Sequence, residues 1–306
     1  MKEAALKRLA GKCKVPVGTV EKDYVLSLML VILSTSEIAN KIVFKGGTAI
    51  KKIYYPEARF SEDLDFDYFD LDPRDIKTIL WDIPAVNPFE SVEFLEIKGE
   101  LLFGDKYSCR MNYTGPLQYR NSIKLDFSGK DRVPKELKYR EIKDEYHSWE
   151  ECACVYLQPG SQRNDCEGVK YEYTCERGRR GLVNFTTFAD CWTCDLFTPG
   201  SNLREKNGLQ TMDLKEILAE KCRALMMRSA PRDLYDILFL LDKGTKFDCS
   251  MVKEKLKRYR EDWNTDSFEE KIGMLRTIWK RDLVSLLPEV PDFDSAVAAV
   301  RSEIRF

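Results

Sequence analysis

The sequence predicts a protein that mixes helices with a β-sheet, α/β or α+β in its first half. Three observations predict it. Strand-length runs interleave with helical spacing through the first half of the chain. Between residues 145 and 208 periodicity fades and cysteines accumulate, six of the chain's ten. From Met212 onward helical patterns return. Three parts follow: a core over residues 1–144, a cysteine-rich insert over 145–208 and a helical region over 209–306.

The elements can be taken in order. Residues 17–33 have helical apolar spacing and predict an apolar-faced helix. Residues 41–45 form a short apolar run of strand length. Residues 48–55 predict a helix that Pro56 ends, because a proline disfavours helical geometry in the residue before it. Residues 64–69 alternate and predict a strand, as do 92–98, 107–113 and 122–128. Residues 213–228 are strongly amphipathic. Ser229 is the expected N-cap of a second helix, with Pro231 in its first turn and an end near Gly244. Further helices follow, and no internal repeat is present.

Composition removes several classes. The net charge is −2, so no global basicity argues for nucleic acid. No apolar run reaches the length of a membrane span, and MKEAALKRLAGKCK lacks the apolar centre of a secretory signal, so a soluble cytoplasmic protein is expected. His147 is the single histidine. Two-histidine metalloprotease motifs are therefore excluded, and no GxSxG elbow supports a serine triad. Chemistry must rest on carboxylates and lysines. Between residues 57 and 75 eight acids face only Arg59 and Arg74, which marks an acidic centre suited to a cation.

That centre follows a glycine turn. Gly46-Gly47-Thr48 stands between a strand and a helix, where free N–H groups attract phosphate. It is neither a Walker loop nor a dinucleotide fingerprint. Asp63 and Asp65 share one strand face, about 6.6 Å apart at standard rise, while Leu64, Phe66 and Tyr68 point into the core. Close carboxylates repel, and their ionised forms favour a bound cation. Hard oxygen ligands suit Mg²⁺ or Mn²⁺. Phosphoryl or nucleotidyl transfer wants a third acid nearby. In NSIKLDFSGK, Asp126 lies on the polar face opposite Ile123, Leu125 and Phe127 and supplies it.

GGTAIKKIYYPEARFSEDLDF and ILAEKCRALMMRSAPRDLYDILFLL together resemble the AbiEii/AbiGii-type nucleotidyltransferase toxin family. The resemblance covers residues 43–69, the Asp126 strand and residues 212–241, and it does not extend to the insert. It implies an α+β fold with a nucleotidyltransferase-like mixed sheet and flanking helices. It implies an enzyme that moves a nucleotide from an NTP, with Mg²⁺, to an RNA (tRNA foremost) or protein acceptor. It further implies a toxin with a cognate antitoxin, often in phage defence. In the family's pattern Gly46, Gly47 and Thr48 would bind phosphate, and Asp63, Asp65 and Asp126 would bind the metal. Lys221 would contact the triphosphate, and Asp233 and Asp236 would complete the catalytic set. The spacing agrees for Lys221, which lies on or beside the apolar stripe of its helix and must snorkel or face negative charge. For Asp233 and Asp236 the ordinary alternative is helix stabilisation, with a pair such as Arg232–Asp236.

The insert carries CxC and CxxC knuckles. Cys152, Cys154, Cys191 and Cys194 suit a tetrahedral structural zinc site, with Cys166 and Cys175 as substitutes or a disulfide. Two other functions compete. Asp82 with Glu96-Ile97-Lys98 imitates a metal-dependent nuclease site, and a non-catalytic binding protein could be built on the insert. The first leaves the glycine turn without a role and the second leaves the acids without one.

Overall fold

The computed structural model describes residues 1–86, 91–129, 137–143, 146 and 208–304, with the backbone of strands at 163–165, 168–174 and 180–184. Helices α1 (Glu3–Cys13) and α2 (Val17–Thr35) lead into β1 (Ile42–Lys45). A single α turn, α3 (Gly46–Ala49), continues as a π turn over Ile50–Tyr54, and Tyr55 is extended before Pro56 as the proline requires. Then come β2 (Asp63–Tyr68), α4 (Pro73–Asp82), β3 (Glu93–Phe103), β4 (Lys106–Thr114), β5 (Arg120–Ser128) and β6 (Lys138–Glu141). Strands β7 (Arg163–Asp165), β8 (Gly168–Thr174) and β9 (Arg180–Asn184) make a small separate sheet. Strand β10 (Gly208–Thr211) precedes α5 (Leu214–Met227), α6 (Pro231–Asp242), α7 (Cys249–Lys257), α8 (Thr265–Met274), α9 (Trp279–Leu283) and α10 (Phe293–Glu303).

The main sheet has seven strands in the order β3-β4-β5-β2-β1-β10-β6. It is mixed: β2 runs parallel to β5 and β1 parallel to β10, while the other neighbours are antiparallel. Alternation on the central strands buries Phe44, Leu64, Phe66, Leu125 and Phe127 on one side. The Phe66 and Phe127 rings stack at 4.9 Å, and Phe44 leans on Phe66 at 5.2 Å. Truncating such a ring to alanine costs about 3–5 kcal/mol. The sheet centre is therefore a rigid floor for whatever stands on its other face.

Helix α2 differs from its expected single apolar face. Tyr24, Val25, Leu26, Met29 and Leu30 are all buried, so it is apolar almost all round and runs through the core. The start of α6 also differs. Its N-cap is Ala230, without a side-chain bond, not Ser229. Pro231 at the first helical position forces the residue before it into extended geometry and has no N–H to satisfy. Asx side chains cap the starts of α4 (Asp72), α5 (Asp213), α7 (Asp248), α8 (Asn264) and α10 (Asp292), while α1, α2 and α9 begin without a side-chain cap. Helices α5 to α10 pack on one another, and α5 also packs on α3, the turn that follows β1. Among the described residues no helix is long and apolar enough to cross a membrane. His147, Cys152, Cys154, Cys166, Cys175, Cys191 and Cys194 lie outside the described residues.

Candidate active site

The site grows from strand register. On β2, Asp63 and Asp65 are two residues apart and share a face, with buried Leu64 and Phe66 on the other. Asp65 stands opposite Lys45 of β1 on one side and Asp126 of β5 on the other. Parallel neighbours lie about 4.8 Å apart. Asp63, Asp65 and Asp126 thus share one patch of the sheet. Asp126 is engaged by the Ser108 hydroxyl and by Lys124 Nζ at 2.5 Å. Asp67 continues the row, but it is buried and takes an ion pair from Lys45.

The glycine turn closes over these acids. Gly46 has φ +82°, and a Cβ there would lie 2.5 Å from Asp65 Oδ2. Backbone strain and the adjoining carboxylate both demand glycine. A Cβ on Gly47 would lie 2.7 Å from Arg59 Nη2 and 3.3 Å from Asp236 Oδ2. Thr48 is buried, and its hydroxyl donates to the Asp63 carbonyl, tying the turn to β2.

Helices α5 and α6 bring the cations. Lys221, expected to face a cleft or snorkel, is 7% exposed and lies 2.8 Å from Asp236 Oδ2 and 3.1 Å from Asp233 Oδ1. Arg59 clamps Asp236 with two bonds of 2.7 Å and donates to the Phe60 carbonyl at 2.9 Å. Arg228 Nε donates to Asp233 Oδ2 at 2.9 Å. Arg232 does not pair with Asp236 as the helix spacing allowed; its Nη1 lies 3.8 Å from Asp63 Oδ2 instead. Asp233 and Asp236 are therefore held on Lys221, Arg59 and Arg228 inside the wall of the site. Sequence reasoning missed Arg59, Arg228 and Arg232. A signal existed for Arg59, one of two bases in the acidic run, and for Arg232, which begins the RDLYD motif.

The electrostatics follow from this crowding. Burial pushes the Asp65 carboxyl up to about 7, the Asp63 charge adds to it, and Asp126 adds more against the pull of Lys221 and Lys45. Burial works the same way on Asp63, but Arg232, Lys221 and Arg59 outweigh it and hold that carboxyl below its usual range. Burial opposes the charge on Asp233 as well, and Lys221 with Arg228 overcomes it, holding Asp233 far below the usual range. Lys221 is raised, because Asp236 and Asp233 overcome its desolvation. Added positive charge beside Asp65 would favour its ionised form.

Among the described residues no group of three acids converges closely enough, as placed, to grip a metal ion. The donor chemistry nevertheless fits a hard divalent cation: carboxylate oxygens share one face, and burial and the Asp63 charge raise one of them, Asp65. The nuclease-like residues are not brought into such a patch. Asp82 ends α4, and Glu96 is engaged on the exposed part of β3 by Lys98 and Arg120.

Comparison with known proteins adds to this geometry. A family model described as "Nucleotidyl transferase AbiEii toxin, Type IV TA system" matches residues 28–153 and 156–299. The fold is similar to that of MenT4, a nucleotidyltransferase toxin of Mycobacterium tuberculosis H37Rv, with TM-score 0.57 and 17% identity over 99% of this chain and 88% of that one. It is also similar to a structure from H. pylori described as a candidate nucleotidyltransferase, with TM-score 0.53 and 16% identity over 94% of this chain and 92% of that one. A search of curated proteins finds no match.

Proposed function

The chain belongs to the AbiEii family of nucleotidyl transferase toxins, a type IV toxin–antitoxin family, and is a nucleotidyltransferase; from that premise we propose that it moves a nucleotide from an NTP to a hydroxyl of an RNA acceptor, tRNA foremost. The acceptor oxygen attacks the α-phosphate, the bond to the β-phosphate breaks, and pyrophosphate leaves. Asp63, Asp65 and Asp126 would hold Mg²⁺ or Mn²⁺. A divalent cation bound there supplies charge neutralisation on the phosphate oxygens and helps orient them. Gly46 and Gly47 let the triphosphate approach backbone amides. Thr48 keeps the turn docked on β2 through its bond to Asp63. Lys221, Arg228 and Arg232 face the charge of the triphosphate. Asp233 and Asp236 act through Lys221 and Arg59 as positioning residues.

The observation that carries this reading is the register of Asp65 against Asp126, with Asp63 two residues away and Gly46 packed on Asp65. The test uses each α-³²P-labelled NTP with Mg²⁺ and whole-cell extract. Label that ribonuclease removes supports the reading, label that only protease removes moves the acceptor to protein, and no label overturns it. A cognate antitoxin partner is what a type IV family implies. Phage defence and a cytoplasmic location, where NTP and tRNA are found, complete the proposal. Zinc on Cys152, Cys154, Cys191 and Cys194 is a further expectation: elemental analysis should find about one zinc per chain, and a metal-free protein would remove it.

A further inference from the structure

A cavity of about 500 Å³ opens at the far end of the π turn, apart from the acid patch. Its walls carry three tyrosines and two cations: Tyr54 and Tyr55 from the turn, Tyr139 and Arg140 from β6, and Lys143 just beyond. The Arg140 guanidinium lies 4.8 Å over the Tyr54 ring, and its Nε is buried with no hydrogen-bond partner. Lys143 is exposed and donates to the Tyr54 carbonyl at 2.6 Å. Neither cation forms an ion pair with an acid among the described residues, although Glu141 also lines the cavity. Tyr139 is 51% exposed, and its ring lies so close over Gly208 that a Cβ there would meet it at 2.5 Å.

Flat rings beside cations that form no ion pair among the described residues match a flat, anionic ligand. An apolar ligand would leave the cations idle, and an acidic peptide would leave the rings idle. A nucleobase stacks on tyrosine while its phosphate meets Arg or Lys. On the sheet, β6 stands three strands from β2, roughly 14 Å away at standard spacing. The cavity is thus displaced from the phosphates of a bound NTP, yet within reach of a strand whose end enters the acid patch.

We propose that this cavity holds an unpaired base and adjoining phosphate of the acceptor RNA, a subsite separate from that for the NTP. The proposal rests on the reading of RNA as acceptor given above. Tyr139, on the sheet face opposite Arg140, supplies a stacking face at the rim, and Arg140 and Lys143 meet the backbone round the edge strand β6.

Fluorescence anisotropy of a short labelled single-stranded RNA against the full chain tests it, with KM for NTP measured alongside. Tyr139→Ala, and separately Arg140→Ala with Lys143→Ala, should weaken RNA binding about tenfold. The double variant should also flatten the salt dependence. Tyr139→Phe, which keeps the ring, should bind as wild type does, and KM for NTP should not change. Equal RNA affinity in folded variants overturns the subsite. A raised KM for NTP at unchanged RNA affinity overturns its assignment to the acceptor. If the wild-type chain binds no RNA and labels only protein, the RNA reading falls and the subsite with it. If it labels RNA and the variants label RNA equally well, the subsite alone falls.

Discussion

Gly46 is the residue at which sequence and site meet most closely. Its positive φ and the Asp65 carboxylate beside it leave no room for a side chain, so only glycine fits the turn that follows β1. Asp63, Asp65 and Asp126 were legible for the same kind of reason, since alternation along a strand is a local property. Arg59 was not legible as a partner of Asp236, because 177 residues separate them and no periodicity reports a contact made by folding. Lys221 was legible only in part. Its place beside an apolar stripe forecast buried or cleft surroundings, but not that two aspartates would hold it. With the proposed contact to the triphosphate, that pairing gives the lysine two duties. Lys221→Ala should slow transfer and also lower stability by about 2–3 kcal/mol, less than the 3–5 of an uncompensated buried charge because Arg59 and Arg228 remain on the aspartates. Lys215→Ala, at an exposed position of the same helix, should change neither by a measurable amount. Equal losses from the two variants, measured by transfer rate and urea unfolding, would show that Lys221 has no special place.

At the scale of elements, the contact of α5 with α7 makes a claim about pH. Lys255 is buried and donates to Glu216 at 2.9 Å and to Glu220 at 2.7 Å. Burial opposes the charge on Glu220, but Lys255 above all, with Lys45 and Arg223, lowers its carboxyl to about 2. A depressed carboxylate contributes stability that is present above its unfolded value near 4.5 and is lost as pH falls through about 2. The full contribution is at most about 3 kcal/mol. Lys255→Met keeps the shape and removes the charge. Its stability deficit should be largest above pH 5 and should shrink steadily toward pH 2 in denaturant titrations; a deficit that does not vary with pH would remove the ion pair from the account. Element starts were legible where a side chain caps them, as at Asp213, and misread at Ser229, where the backbone preference imposed by Pro231 decides. The length and spacing of α2 were legible, but not its burial on all sides, which depends on what packs around it.

At the scale of the whole molecule, a seven-stranded mixed sheet presents the acids and a bundle of helices delivers the cations. Interleaved strands and helices made the mixed class legible. The strand order was not, because the two parallel pairings join residues far apart in the chain: β5 returns beside β2, and β10 beside β1 after the long excursion that begins at β6. On the proposed function, activity is a property of both halves, with the acid patch as its centre. The most direct measurement is transfer of α-³²P-labelled nucleotide by wild type, Asp63→Asn, Asp65→Asn and Asp126→Asn, each at saturating Mg²⁺ and with folding checked by thermal melting. Removing charge at Asp65 relieves burial and repulsion and should leave that melt unimpaired, while Asp63→Asn gives up the pull of Arg232 and should melt lower but still cooperatively. Transfer should fall by at least about a hundredfold in every folded variant, the scale of losing a catalytic electrostatic group. Folded variants that transfer label at the wild-type rate would contradict the account.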